Sequence, residues 1–249
     1  MVDMEVSHSC LTLKIFIGSM IERRRDYEKK EPSKDAHKIY IVCEGALSEP
    51  KYFNFFKDLS SNLEVIVIPP IKRTVPLKLK EHAQSAFIGD DRKYTLDYCQ
   101  GDTVWFVIDT DSWEDENKIQ PLRDFCAQQN DIIHREYGEI RRYSIWNVAQ
   151  SNPCFEIWLY YHLYEQKPLD VDVCKCDSFK DFVGQSYAGG FDFEKDPARI
   201  CDAIANSKVN YSVDDNGRLT NYCTEMHILG VEIHKFVQRD VKRLRDRLA

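Results

Sequence analysis

The run Thr103–Ile108 (T-V-W-F-V-I) is apolar or β-branched throughout. A strand with no polar face needs cover on both sides, as in parallel sheets sandwiched between layers of helices. Two further runs, His37–Cys43 (H-K-I-Y-I-V-C) and Leu63–Ile68 (L-E-V-I-V-I), read as buried strands, and Tyr143–Val148 (Y-S-I-W-N-V) as a fourth. Between them lie segments with helical patterning. One opens at Pro50 and carries Tyr52, Phe53, Phe56 and Leu59, with Ser48 or Glu49 as cap. Others span about Pro76 to Phe87 and Lys118 to Gln129. Strands alternating with helices predict an α/β fold with a parallel sheet and right-handed crossovers.

Asn152-Pro153 is expected to start an apolar helix over Phe155–Tyr164, with Asn152 as its N-cap. Beyond Pro168 the pattern weakens into short helical stretches. A long amphipathic helix then closes the sequence over Thr224–Leu248, placing Met226, Leu229, Ile233, Phe236, Val237, Val241 and Leu244 on one side. The expected organisation is an N-terminal extension over 1–35, an α/β core over 36–165 and an accessory helical region over 166–249. There is no internal repeat or low-complexity tract.

Hydrophobic residues make up 43% and charged residues 30% of the chain, the composition of a globular protein that folds alone. The apolar stretch Leu11–Ile21 is too short to span a membrane and is followed by no signal-peptidase site, so the cytoplasm is the expected compartment, with no membrane partner. Nine scattered cysteines read as reduced thiols. The close pair Cys174-Lys175-Cys176 lacks the spacing and the second half of a zinc site. A net charge of −7 argues against a general nucleic-acid coat but leaves room for local patches. Candidates are Arg23 to Arg25, Lys72-Arg73 with Lys78 and Lys80, Arg141-Arg142, and the tail cluster Lys242, Arg243, Arg245 and Arg247. The plain alternative for each is a solvated helix face or loop.

In an open parallel sheet, ligands bind outside the carboxyl ends of the strands. Glu44 directly follows the first strand, and Asp109 and Asp111 follow the third, so parallel pairing brings all three carboxylates to one edge. Such a set suits a hard divalent cation, Mg²⁺ or Mn²⁺, which relieves the repulsion among them. Phosphodiester chemistry fits a site of this kind. The competing reading is an ordinary polar turn at Glu44 and a helix cap at the aspartates. Glu156 lies among Phe155, Ile157, Trp158, Leu159 and Tyr160, where a carboxylate needs a partner.

These segments also carry a resemblance. Ile41-Val42-Cys43-Glu44-Gly45 with Ser48-Glu49-Pro50, then Ile108-Asp109-Thr110-Asp111, then Ser151-Asn152-Pro153-Cys154-Phe155-Glu156-Ile157-Trp158-Leu159, resemble in content and order the RloB-like branch of the Toprim proteins. The resemblance covers about residues 36 to 165. It implies a Toprim-like catalytic core, Mg²⁺ dependence, and nuclease activity on DNA or RNA in bacterial or phage-related defence, often beside an ABC-type ATPase partner. By position, Glu44 matches the Toprim glutamate, a general base or metal ligand, Asp109 and Asp111 match the metal-binding pair, and Glu156 matches the additional acid of this branch. Ser48 stands where the pattern has Thr, and Thr110 where it has Arg, which removes a cation from the metal loop. The chain could also act as a homo-oligomer.

Two other functions compete. Val107–Ser112 resembles the nucleophile loop of haloacid dehalogenase-type phosphotransferases, but that family places the loop on its first strand. A non-catalytic partner or regulator of an ATPase would keep the fold with a weak metal site. His82 and His162 read as partners of local polar groups. Tyr160, Tyr161 and Tyr164 read as packing, since nothing nearby in sequence would activate a tyrosine nucleophile.

Overall fold

The computed structural model describes residues 29–68, 70, 75–110, 117–138 and 144–248. The runs Arg23 to Arg25, Lys72-Arg73 and Arg141-Arg142, and the expected ligand Asp111, lie outside the described residues.

Strands β1 (His37–Cys43), β2 (Leu63–Ile68), β3 (Thr103–Asp109), β4 (Trp146–Asn152) and the short β5 (Cys223–Thr224) form one sheet in the order β2-β1-β3-β4-β5. The first four are parallel, and β5 runs antiparallel to the end of β4, pairing Ser151 with Thr224 and Asn152 with Cys223. The parallel α/β reading therefore holds, with one antiparallel edge strand that local patterning did not announce.

The period-two alternation of the central strands sorts their side chains onto two faces. Ile39, Ile41 and Cys43 of β1, with Trp105 and Val107 of β3, join one apolar cluster. Tyr40 and Val42, with Val104, Phe106 and Ile108, join the other. The second face is covered by α2 (Pro76–Phe87) through Leu79 and Ala83, and by α3 (Gln120–Tyr137) through Leu122, Phe125 and Ile133. Helix α3 runs well beyond the expected Gln129 and stops at Gly138, whose φ of 72° suits glycine at a helix end.

The first face receives α1 (Ser48–Asn54), α4 (Glu156–Tyr160), α6 (Phe179–Ser186), α7 (Ile200–Val209) and the long α8 (Met226–Leu248). A short α5 (Asp170–Val173) precedes α6 and contributes no buried residue. Met226, Leu229, Ile233, Val237, Val241 and Leu244 of α8 are all buried, as their spacing predicts, and Phe236 is half-buried. Residues of 166–249 thus share one core with β1 and β3 and complete the sheet through β5.

Three local expectations need correction. The fourth strand is Trp146–Asn152 instead of Tyr143–Val148, so Asn152 ends a strand and caps no helix. Its side chain donates to Leu219 O at 2.7 Å. The helix expected over Phe155–Tyr164 is confined to Glu156–Tyr160 and is followed by turns, with a cis Asn152-Pro153 bond before it. Helix α1 starts at Ser48, before Pro50, and neither Ser48 nor Glu49 caps it.

Candidate functional site

Strands β1 and β3 are neighbours in register, with Cys43 opposite Val107. The residues that follow therefore emerge side by side at the carboxyl edge. The Glu44 N–H continues the ladder to Val107 O at 3.0 Å. The Asp109 N–H donates to Glu44 Oε2, also at 3.0 Å. On the other side of β3, Asp109 pairs with Ser151 of β4. The chain then turns so that the Phe155 N–H reaches Asp109 Oδ1 at 2.8 Å, which fixes Glu156 as the first residue of α4 beside it.

Two more side chains enter this edge that sequence reasoning did not assign to it. Glu49, in the first turn of α1, is only 5% exposed, and its Oε1 accepts the Gly45 N–H at 3.1 Å. A Cβ at Gly45 would overlap both Glu49 carboxylate oxygens, so the glycine lets Glu49 lie in this place. Lys180 of α6 places Nζ 3.6 Å from Glu156 Oε2 and 3.9 Å from Asp109 Oδ2. Glu49 could have been found as the second acid, after Glu44, of the segment Ile41–Pro50. Lys180 carries no local signal, since a lysine in the first turn of a surface helix is ordinary.

The electrostatics are those of crowded, poorly hydrated carboxylates. Burial first, and then the charges of Glu49, Glu44 and Glu156, push the Asp109 carboxyl well above the usual range, against the opposing pull of Lys180. Burial likewise raises Glu49, with Glu156 adding to it and Lys180 opposing. The Cys154 thiol is raised by burial and by Glu156 and Asp109. Lys180 shows the converse: burial lowers its pKa, but the attraction of Glu156, Asp109 and Glu49 raises it further.

Glu156 Oε1 accepts from Ser48 Oγ at 3.2 Å, whereas the buried Oε2 has no hydrogen-bond partner. That oxygen has only the longer ion pair with Lys180 at 3.6 Å, which leaves its hydrogen-bonding capacity unmet at a cost. Oxygen donors of this kind are the ones a hard divalent cation, Mg²⁺ or Mn²⁺, uses. Among the described residues no group of three or more His, Cys, Asp or Glu side chains is already arranged to hold a metal ion.

The loop that carries Asp109 is anchored through Thr110. Its N–H donates to Ser151 O at 2.8 Å and its Oγ1 to the same oxygen at 2.9 Å. Gln150 Nε2 donates to Thr110 Oγ1, and Arg123 Nη2 bridges Gln150 Oε1 and Glu225 Oε2. A hydroxyl at position 110 thus links the loop to α3 through a partly buried network.

His82, expected to partner a local polar group, instead has a buried Nδ1 in no hydrogen bond among the described residues; His162 and the tyrosines are packed or hydrogen-bonded as expected. His162 is buried between Trp158 O and Tyr52 Oη. Tyr160 stacks on Tyr164, and Tyr161 Oη donates to Tyr222 O. The described cysteines are all free thiols. No helix among the described residues is long and apolar enough to cross a membrane.

A mostly parallel sheet with buried carboxylates gathered where its middle strands end defines an α/β protein with an acidic site at the carboxyl edge. The chain belongs to the RloB-like family, whose model, described as RloB-like protein, matches residues 39–233. That span contains Glu44, Glu49, Asp109, Glu156 and Lys180, and it runs well past residue 165, where the motif resemblance ends. No curated protein and no solved structure gives a significant match to the chain.

Proposed function

We propose that this protein is a metal-dependent nuclease of Toprim type that hydrolyses phosphodiester bonds of DNA or RNA, working in a defence system with an ABC-type ATPase. The observation that carries this reading is the convergence of Glu44, Glu49, Asp109 and Glu156 on one sheet edge, with the buried Glu156 Oε2 in no hydrogen bond and 3.6 Å from Lys180 Nζ. Asp109, Glu44 and Glu156, with Asp111, would hold Mg²⁺ or Mn²⁺, which supplies positive charge for a phosphate at this edge. Glu44 is held against the Asp109 main chain and can accept a proton from an attacking water. Lys180 adds a positive charge beside Asp109 and Glu156, and a cation there would stabilise charge growing on phosphate oxygens. Ser48 orients Glu156.

The test is cleavage of single- and double-stranded DNA and RNA by purified protein with Mg²⁺ or Mn²⁺, alone and with its ATPase partner. Cation-dependent cleavage that Asp109→Asn abolishes is the expected result. The second reading, a non-catalytic regulator, has one observation on its side: Lys180 already offsets part of the negative charge at this edge. Absence of cleavage under every one of those conditions would favour it.

A further inference from the structure

Helix α8 carries Lys235, Arg239, Arg243 and Arg247, each four residues after the last. Residues at this spacing form one ridge along a helix, with steps of about 6 Å. All four are exposed. The arrangement works against the helix, because like charges four apart destabilise it. Arg239 is the extreme case, since its neighbours three and four residues away are Lys235, Phe236, Lys242 and Arg243. Among the described residues Arg239 forms no ion pair. Attraction to the helix C-terminus explains cations in the last turn, such as Arg245 and Arg247, but not Lys235 and Arg239 farther back.

The course of α8 locates the ridge. Glu225, just before α8, donates its N–H to Gln150 O near the end of β4. Glu232 then accepts from His37 Nε2 and Thr103 Oγ1 at the starts of β1 and β3. Asp240 pairs with Lys30 still farther on. The helix therefore crosses the sheet from carboxyl to amino edge, and the ridge lies at the amino edge, a strand length of about 23 Å from the acidic site. A groove beside it is lined by Ser60, Ser61 and Asn62, which add hydroxyl and amide donors, and by Lys30. The one acid in this groove, Asp240, is occupied by Lys30 at 2.8 Å and faces Arg243 at 3.7 Å.

We propose that this ridge is an exosite for the phosphate backbone of a nucleic-acid strand, an inference that rests on the nucleic-acid substrate of the proposed function. Regularly spaced cations beside a groove of neutral donors match a polymer that repeats its charge at a fixed interval, and guanidinium forks suit phosphate. A folded acidic protein surface presents charge without that repeat. In a chain of net charge −7, affinity for a polyanion has to be concentrated in such a patch. The exosite anchors a long substrate at one edge of the sheet while the carboxylates act at the other.

The experiment is fluorescence anisotropy with long single-stranded DNA and RNA oligonucleotides in EDTA across a range of KCl, using wild type, Arg239→Gln/Arg243→Gln and Arg239→Glu/Arg243→Glu. Circular dichroism and thermal melting check that each variant is folded. The neutral double variant should bind about tenfold or more weakly, and its log–log salt slope should be shallower by about 1.4, two contacts at roughly 0.7 each. Charge reversal should weaken binding further. Equal affinity and slope in wild type and both double variants would overturn the exosite and leave the nuclease reading standing. Ridge-dependent binding with no cleavage under any condition would overturn the nuclease reading and leave the exosite. If labelled polyglutamate bound through the ridge while the oligonucleotides did not bind, the ridge would serve an acidic protein and the proposal would be wrong.

Discussion

The Asp109 main-chain N–H donates to Glu44 Oε2 at 3.0 Å, so the last residue of β3 holds the carboxylate that follows β1. The bond is possible because the two strands are adjacent and parallel, with Cys43 opposite Val107. It sets the orientation of Glu44 without using the Asp109 side chain, which is left to Phe155 N–H and Lys180.

From this arrangement Glu44→Gln should abolish cleavage while leaving nucleic-acid affinity largely intact. The amide oxygen can still accept the Asp109 N–H, so the fold persists, but the amide cannot take a proton from water. Loss of a positioned base costs about 10²- to 10⁴-fold in rate. Single-turnover cleavage at saturating Mg²⁺, with binding measured in parallel, checks this. Wild-type cleavage by the variant would remove Glu44 from the role of base.

Asp109→Asn should have opposite effects with and without metal. Burial and neighbouring carboxylates disfavour the charged form of Asp109, so above the ordinary carboxylate range this group costs the metal-free fold stability. The amide keeps the Phe155 N–H bond and removes that charge, and the metal-free melting temperature should rise by about 2–4 °C if roughly 1 kcal/mol is recovered. Stabilisation by Mn²⁺ should shrink in the same variant, because a ligand charge is gone. Melting curves with EDTA and with Mn²⁺ decide it. A metal-induced shift as large as in wild type would mean that Asp109 is not a ligand.

Gly45→Ala tests whether Glu49 belongs to the site. The added methyl collides with the end of a flexible side chain and not with backbone, so the loss of stability should be modest, about 1 kcal/mol. Glu49 must leave its place beside Gly45, and cation affinity and cleavage should fall together. Calorimetric titration with Mn²⁺ reads the first directly. If cation affinity stayed at the wild-type value, Glu49 would be a buried bystander.

Strands β1 and β2 and helix α2 agree with their sequence-based limits because each is a dense apolar or helical run bounded by proline, glycine or polar turns. Strand β4 was misplaced for a physical reason. Its second half, Gln150-Ser151-Asn152, is polar and looks like a loop, yet it is held by partners remote in sequence. Gln150 N–H donates to Glu225 Oε2, Ser151 Oγ bonds Thr224 Oγ1, and Asn152 reaches Leu219 O. The same limit applies at the site. Glu44, Asp109 and Glu156 were legible because they lie at or near strand ends of a parallel sheet. Lys180 was not, because only tertiary packing of α6 brings it to them.

The buried pair Tyr52–His162 should make stability depend on acid. The carbonyl of Trp158 can only accept, so His162 Nδ1 carries the proton and Nε2 accepts from Tyr52 Oη at 3.1 Å. Burial, with Arg199 adding to it, lowers the His162 pKa from 6.5 to about 3, against the opposing bonds to Trp158 and Leu159. Between these values the unfolded chain binds a proton that the native protein does not, so the contribution is complete above about 6.5 and is lost as pH falls towards 3. The slope is about 1.4 kcal/mol per pH unit, or roughly 2 kcal/mol between pH 6.5 and 5. Asp109 and Glu49 act with the opposite sign, since their raised values favour the folded state as pH falls. The wild-type curve mixes both effects, and His162→Gln separates them. The variant should be less stable than wild type at pH 7, and the gap should narrow by about 2 kcal/mol at pH 5 as wild type loses the histidine contribution. Urea unfolding at the two pH values measures it, and a gap independent of pH would show that His162 is not held neutral by its surroundings.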